Sequence, residues 1–279
     1  MKLPLNINLT DKVAVITGAG GVLCSAFSKA LAQCGAKVAV LDLNEAAAQK
    51  VADEITAEGN KAIAVKVNCL DSASLNEAHD KVVAAFGPCD ILINGAGGNN
   101  PRGTTDDEQF DAAVEGVKTF FDLDPAGVRF EIDLNVIAAQ MTTQVFAKDM
   151  IGRGGNIMNV SSMNAFRPLT KIPAYSGAKS AVSNFTQWLA TYLAKSNIRV
   201  NAIAPGFFVT NQNRALLFTE DGKPTARTGK ILAATPMGRF GEADELLGAV
   251  LFLLCDEAAS FITGVVLPID GGFSAYSGV

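Results

Sequence analysis

Seven short runs rich in Val and Ile, separated by longer helical patterns, constrain this chain more than any other feature. They are Lys12–Thr17, Lys37–Asp42, Lys61–Val67, Asp90–Asn94, Asn156–Ser161, Ile198–Ala204 and Gly264–Asp270. Strands this apolar are buried on both faces, and their alternation with helices implies βαβ crossovers and a parallel sheet. No repeat, low-complexity segment or Pro/Ser-rich linker divides the chain. The expected architecture is a single α/β domain over residues 1–279, with a doubly wound, Rossmann-type parallel sheet flanked by helices.

Buried strands also account for the 49% of hydrophobic residues. The longest apolar run, Leu246–Cys255, is too short for a bilayer, which needs about 20 residues. The first residues, MKLPLNINLTDK, lack the apolar stretch of a signal peptide. The expectation is a cytoplasmic protein with no membrane partner. A net charge of −5, with no basic cluster, argues against nucleic acid. The five cysteines are scattered without a C-x-x-C pair, and the single histidine is His79. No metal site, disulfide framework or histidine-based triad is expected. His79, in NEAHDK, reads as a solvated helix residue. Acid–base chemistry must then come from Tyr, Lys or carboxylates.

Two stretches break the rhythm: an insertion at about 98–124, whose DAAVEGVKTFFDLD is expected to be helical, and a segment at about 206–240. Both leave carboxyl ends of strands, where open α/β sheets bind ligands. Long excursions there suit lids or specificity elements. The first run enters a glycine-rich turn, Gly18, Gly20, Gly21, Val22 and Leu23, and then a helix. Such a turn lets backbone approach a pyrophosphate at a helix N-terminus. Asp42 ends the second run, 24 residues after Gly18. It is placed to accept hydrogen bonds from an adenosine ribose and to repel a 2′-phosphate, which favours NAD over NADP. Its alternative use is to cap the next helix, a role Asn44 could also fill.

Tyr175 and Lys179 are four residues apart in YSGAKSAVSNFTQWLATYLAK, on one helix face. A tyrosine base at neutral pH needs its pKa lowered by roughly three units, about 4 kcal/mol. An ammonium about 4 Å away supplies that at an effective dielectric near 20. Ser162, in NVSS thirteen residues before Tyr175, could donate a hydrogen bond to a reacting oxygen.

With these residues assembled, the sequence resembles the short-chain dehydrogenase/reductase family from Asp11 to its end. The resemblance rests on Thr17-Gly18, Asp42, Asn94-Gly95-Ala96-Gly97, Asn135, Ser162, Tyr175, Lys179, Pro205-Gly206 with Thr210, and Asp270-Gly271-Gly272. It implies Tyr175 as general acid/base, with Lys179 lowering its pKa and holding the nicotinamide ribose. Ser162 would polarise the substrate oxygen, and Asn135 would hold a water relaying protons from Lys179. Asn94, Ala96 and Gly97 would run along the cofactor ribose. Pro205, Gly206, Phe208 and Thr210 would cover the carboxamide, and Asn68 and Cys69 would meet adenine. Val22 and Cys24 stand where the family turn T-G-x-x-x-G-x-G has glycines, and Gly95 stands where NNAG has its second Asn. Neither departure removes a reacting group.

The wording of TGAGGVL, NGAGGNNPRGTT, FFDLDPAG and SSMNAFRPLTKIPAYS is similar to the fructuronate reductase, or D-mannonate oxidoreductase, branch. That implies a sugar-acid substrate and a homotetramer. A carboxylate calls for a cation, and Arg102, Arg167, Lys171 and Arg214 lie near the carboxyl edge. Asn100, Asn164, Gln212 and Asn213, the last two with Arg214 in the second segment, could serve hydroxyls. The insertion is expected to close over the substrate, with Phe110, Phe120 and Phe121 docked against the domain. The leading expectation is an NAD-dependent oxidoreductase moving a hydride between nicotinamide and a sugar acid. A dehydrogenase of an uncharged polyol or ketone is the alternative. A non-catalytic NAD-binding sensor is the third reading, opposed by the presence of Asn135, Ser162, Tyr175 and Lys179 together.

Overall fold

The computed structural model describes residues 7–209 and 217–278. Seven strands form one sheet: β1 (Val13–Thr17), β2 (Lys37–Asp42), β3 (Lys61–Lys66), β4 (Ile91–Asn94), β5 (Gly155–Val160), β6 (Ile198–Pro205) and β7 (Val266–Ile269). Their order is β3-β2-β1-β4-β5-β6-β7, and every neighbouring pair is parallel. The order reverses between β1 and β4, which opens a crevice at the carboxyl ends of those strands.

The strands read as continuous apolar runs because each residue enters one of two cores. Ala14, Ile16, Val38 and Val40 pack with Phe27 and Leu31 of α1 (Val22–Gln33) and Ala48 and Val51 of α2 (Glu45–Ala57). Val13, Val15, Ala39 and Leu41 face the other way. They meet Leu75 and Val82 of α3 (Ser72–Phe86), Phe146 of α5 (Ala138–Phe146) and Leu189 of α6 (Pro173–Leu193). The period-2 side-chain alternation of a strand thus feeds both layers. Asn44 caps α2 by accepting from Ala47 N at 3.2 Å, and Asp71 caps α3 by accepting from Ala73 N at 2.8 Å. Asp124 caps α4 (Pro125–Ile132), whose first residue is proline. A π-helical turn, Asp133–Ile137, joins α4 to α5 and carries Asn135.

Two sequence expectations are corrected. The stretch DAAVEGVKTFFDLD, expected to be helical, is a series of turns with only a 3₁₀ segment at Phe120–Asp122. Asp111 folds back on Ala113 N at 2.9 Å, and Gly116 takes φ +78°. With no apolar face to bury, nothing offsets these breaks. His79 is not simply solvated: its Nε2 lies 3.0 and 3.1 Å from the two Asp149 oxygens. The same carboxylate accepts from Cys89 N, so His79 ties α3 to the 3₁₀ segment Ala147–Met150 that follows α5. All five cysteines are free. Among the described residues no group of His, Cys, Asp and Glu could hold a metal ion, and no helix is long and apolar enough to cross a membrane.

Candidate active site

The crevice begins at Thr17. Its hydroxyl accepts from Gly95 N at 3.1 Å and Ala96 N at 3.2 Å, which stitches β1 to the loop leaving β4. Gly18 follows at φ +65°, and a Cβ there would lie 2.9 Å from Ala96 N. Both conformation and approach demand glycine. Gly21 is the N-cap of α1 and makes no side-chain cap bond, so the amides of that turn have no side chain folded over them. Asp42 is more committed than the sequence suggested. Its Oδ2 accepts from Gly20 N and its Oδ1 from Asn44 N, both at 2.9 Å. The carboxylate holds the glycine turn in place, and Asn44 does the capping.

Ser162 and Tyr175 meet where β5 ends and α6 begins. The Ser162 side chain adjoins the Tyr175 phenol closely enough to favour its ionised form, and its hydroxyl accepts from Asn164 N at 3.3 Å. Lys179 is buried at 5% exposure. Its Nζ donates to Val160 O at 2.9 Å and stands 5.6 Å from the Tyr175 ring centroid. A Cβ on Gly97 would meet Asn135 Oδ1 at 2.6 Å and Lys179 Nζ at 3.2 Å, so both side chains converge on that one point.

The electrostatics correct the expected pKa of the pair. Burial pushes the Tyr175 phenol up to about 12, with Ser162 acting against the rise and the Glu131 charge adding to it. Burial pushes Lys179 down to about 8. Helical spacing put both on one face, yet the ammonium is aimed at a carbonyl. A lysine at about 8 folded and 10.5 free costs its full penalty below pH 8, because both states are then protonated. The penalty fades as pH rises from 8 to 10.5, where the folded state releases its proton first. Lys179→Met is therefore expected to be more stable than wild type at pH 7, by about 3 kcal/mol before the lost Val160 bond is deducted. That advantage should vanish near pH 10.5. Thermal melts without added cofactor across this range check it, and a pH-independent gap would contradict it.

The other anticipated residues divide. Asn94 is buried, and its Nδ2 donates to Thr143 Oγ1 at 2.9 Å and Asn159 Oδ1 at 2.8 Å. Its side chain therefore joins a buried network, leaving Ala96 and Gly97 at the crevice. Asn68 is exposed at the end of β3, with Oδ1 accepting from Leu70 N, and Cys69 is buried beside it. Gly206 N donates to Ile269 O at 2.9 Å, and Phe208 is buried. Thr210, Gln212, Asn213 and Arg214 lie outside the described residues.

Among the described residues the expected carboxylate clamp does not assemble. Arg102 is exposed and pairs with Asp124 at 3.3 Å. Lys171 spends its ammonium on Asp106 O at 2.7 Å. The Asn100 side chain accepts from Arg102 N. Arg167 is exposed with no ion-pair partner among the described residues. Asn164 is buried, and its Oδ1 has no hydrogen-bond partner among them. Phe110, Phe120 and Phe121 do not dock on the domain. They are 59%, 64% and 76% exposed and pack on one another.

Sequence reasoning missed two features. Glu131 on α4 is fully buried beside this centre. Cys24 Sγ occupies the space above Gly95, where a Cβ would come within 2.2 Å of it. Glu131 sits in FEIDLN, which reads as an ordinary solvated turn. The Cys24–Gly95 pair gave a signal, since both positions depart from the family pattern.

A family model described as short chain dehydrogenase matches residues 12–220. A solved Haemophilus influenzae protein, provisionally named a D-mannonate oxidoreductase and holding bound NAD, is 59% identical. The match covers 100% of both chains with a TM-score of 0.95. The 7alpha-hydroxysteroid dehydrogenase of Escherichia coli is 32% identical over 268 residues, 96% of each chain. The 2-dehydro-3-deoxy-D-gluconate 5-dehydrogenase of Dickeya dadantii is 32% identical over 270 residues, 96% of this chain and 97% of that protein.

Proposed function

This chain belongs to the short-chain dehydrogenase family, and from that premise we propose an NAD-dependent oxidoreductase of sugar acids of the D-mannonate/D-fructuronate type. The observation that carries the reading is the convergence of Lys179 and Asn135 beside Gly97, with Ser162 adjoining the half-buried Tyr175.

The residues present fit a dinucleotide. The uncapped first turn of α1 offers the amides of Val22 and Leu23 to a pyrophosphate, while Gly21 N donates to Gly18 O and shapes the turn. Gly18 and Gly97 keep side chains out of the crevice on either side of Ala96. Asp42, with Leu43 and Asn44 after it and no cation there, favours NAD. Ala96, Gly97 and Lys179 would hold the nicotinamide ribose, Asn68 and Cys69 the adenine, and 205–210 the carboxamide. When bound, the nicotinamide supplies or accepts the hydride.

The chain's own groups manage the proton. In reduction the Tyr175 hydroxyl donates to the substrate oxygen; in oxidation its deprotonated form accepts. A phenol pushed up to about 12 is neutral at neutral pH, which suits donation. Ser162 holds the substrate oxygen by hydrogen bonding, and Lys179 and Asn135 return the proton towards solvent.

The sugar-acid half of the reading is supported by the Haemophilus influenzae protein's name and by Asn164, whose unpartnered Oδ1 could accept from a substrate hydroxyl. Arg167 is the described cation left for the carboxylate. The commitment of Arg102 and Lys171 elsewhere favours a second reading, a dehydrogenase of an uncharged polyol.

Absorbance at 340 nm over a panel of aldonates, uronates and polyols, with NAD and NADP in parallel, tests both. Turnover of D-mannonate with NAD is expected. A polyol with higher kcat/KM than every acid would replace the first reading by the second. Asp42→Asn belongs in the same panel, because it keeps an acceptor for Gly20 N and removes the charge. A carboxylate about 4 Å from a phosphate repels it by roughly 1–4 kcal/mol. The preference for NAD over NADP should therefore fall by about tenfold or more. An unchanged ratio would mean that Asp42 only braces the turn.

A further inference from the structure

We propose that Glu131 is a positioning residue that clamps loop 98–103 onto the acid–base centre and so sets how tightly substrate is held. The inference rests on the function proposed above.

Glu131 and Asn135 are one helical turn apart and face the same loop. One Glu131 carboxylate oxygen accepts from Asn100 N. Asn135 grips Gly98 from both sides, with Oδ1 accepting from its N–H at 3.1 Å and Nδ2 donating to its carbonyl at 2.9 Å. The same Nδ2 donates to Glu131 O at 2.8 Å, which locks the two holding residues together. Beyond Asn100, Gly103 lets the loop backbone lie against the carboxyl group, since a Cβ there would come 3.1 Å from its carbon. Gly127, one turn before Glu131, admits the Arg102 backbone and Cβ in the same manner. The loop is thus laid along α4 and the π-helical turn at successive points.

The chemistry of Glu131 argues for function over packing. Its side chain is fully buried, and Oε2 has no hydrogen-bond partner among the described residues. Burying a half-satisfied carboxyl opposes folding, and an apolar side chain of similar volume is generally tolerated better. A position selected for stability alone would not hold this group. What the carboxyl provides is an acceptor for Asn100 N, at the loop that leaves β4 beside Gly97 and Tyr175. Its proximity to the centre is also visible in the Glu131 charge helping to raise the tyrosine.

Two variants of the full chain separate the possibilities. Glu131→Gln keeps an acceptor for Asn100 N, and Glu131→Met fills the space without one. Hydrogen exchange at Gly98 and Asn100, read without substrate, should quicken about tenfold in Glu131→Met and stay within twofold in Glu131→Gln. The Met variant should melt at or above the wild-type temperature. With D-mannonate and saturating NAD, its KM should rise roughly five- to tenfold, the order of one lost buried hydrogen bond. Its kcat should stay within about twofold, and Gln should restore KM. Unchanged exchange in the Met variant overturns the clamp. So does a lowered melting temperature with no rescue by Gln, which would mark Glu131 as structural only. Failure of the wild type to use D-mannonate would count against the sugar-acid reading alone, because the exchange measurement needs no substrate.

Discussion

Tyr175→Phe is expected to lower kcat by at least about 10²–10⁴-fold, the usual contribution of general acid–base catalysis, and to leave NADH binding within about twofold. The phenol is the group at this centre that can transfer a proton to a substrate oxygen, and Ser162 adjoins it. The ring sits in the first turn of α6 and packs beside Lys179, and phenylalanine keeps both contacts. Fluorescence titration of NADH and steady-state rates on the same preparation separate binding from chemistry. Activity within tenfold of wild type would sink the proposed mechanism. Ser162→Ala should cost less. The double variant should cost little more than Tyr175→Phe, since the serine acts on the oxygen that the tyrosine protonates.

The architecture was legible because buried parallel strands write themselves as unbroken apolar runs. β2 matches its run at both ends, and β1 begins one residue inside its own. Asn44 was recognisable as an alternative cap, and it does cap α2. Local spacing also brought Tyr175, Lys179 and Ser162 into one neighbourhood. It could not say where the lysine points. A shared helix face fixes the Cβ direction, while the Val160 carbonyl that captures the ammonium comes from β5. The tyrosine pKa was misjudged for a related reason. Spacing supplied a charge, but burial decides the balance, opposed by Ser162 and helped by the Glu131 carboxylate. Composition likewise misled at Phe110, Phe120 and Phe121, since apolar residues can satisfy one another without joining a core.

The two departures from the family pattern at the dinucleotide turn are one feature, and they carry the second large prediction. Cys24 lies on α1 where the pattern has glycine, and Gly95 lies after β4 where it has asparagine. A Cβ at position 95 would come 2.2 Å from Cys24 Sγ and 2.7 Å from Thr17 O. The thiol therefore fills the volume that a side chain at 95 would need. Burial pushes that thiol up to about 12, so it is a small packing group and not a nucleophile. Gly95→Asn in the wild-type background should destabilise by about 3 kcal/mol or more, the upper end of overpacking costs. That corresponds to roughly 6–12 °C in Tm for a domain of this size. NAD affinity should fall with it, because Gly95 N and Ala96 N both hang on the Thr17 hydroxyl. Cys24→Gly alone should cost about 1 kcal/mol, from glycine in a helix interior. Combined with Gly95→Asn, it removes the sulfur clash but leaves the Thr17 carbonyl. The double variant should therefore recover about half of the Gly95→Asn loss, which against the additive sum of about 4 kcal/mol is a coupling of roughly 2.5 kcal/mol. Melting curves and NAD titrations on all four proteins close the cycle. Strictly additive losses would mean that the two positions changed independently.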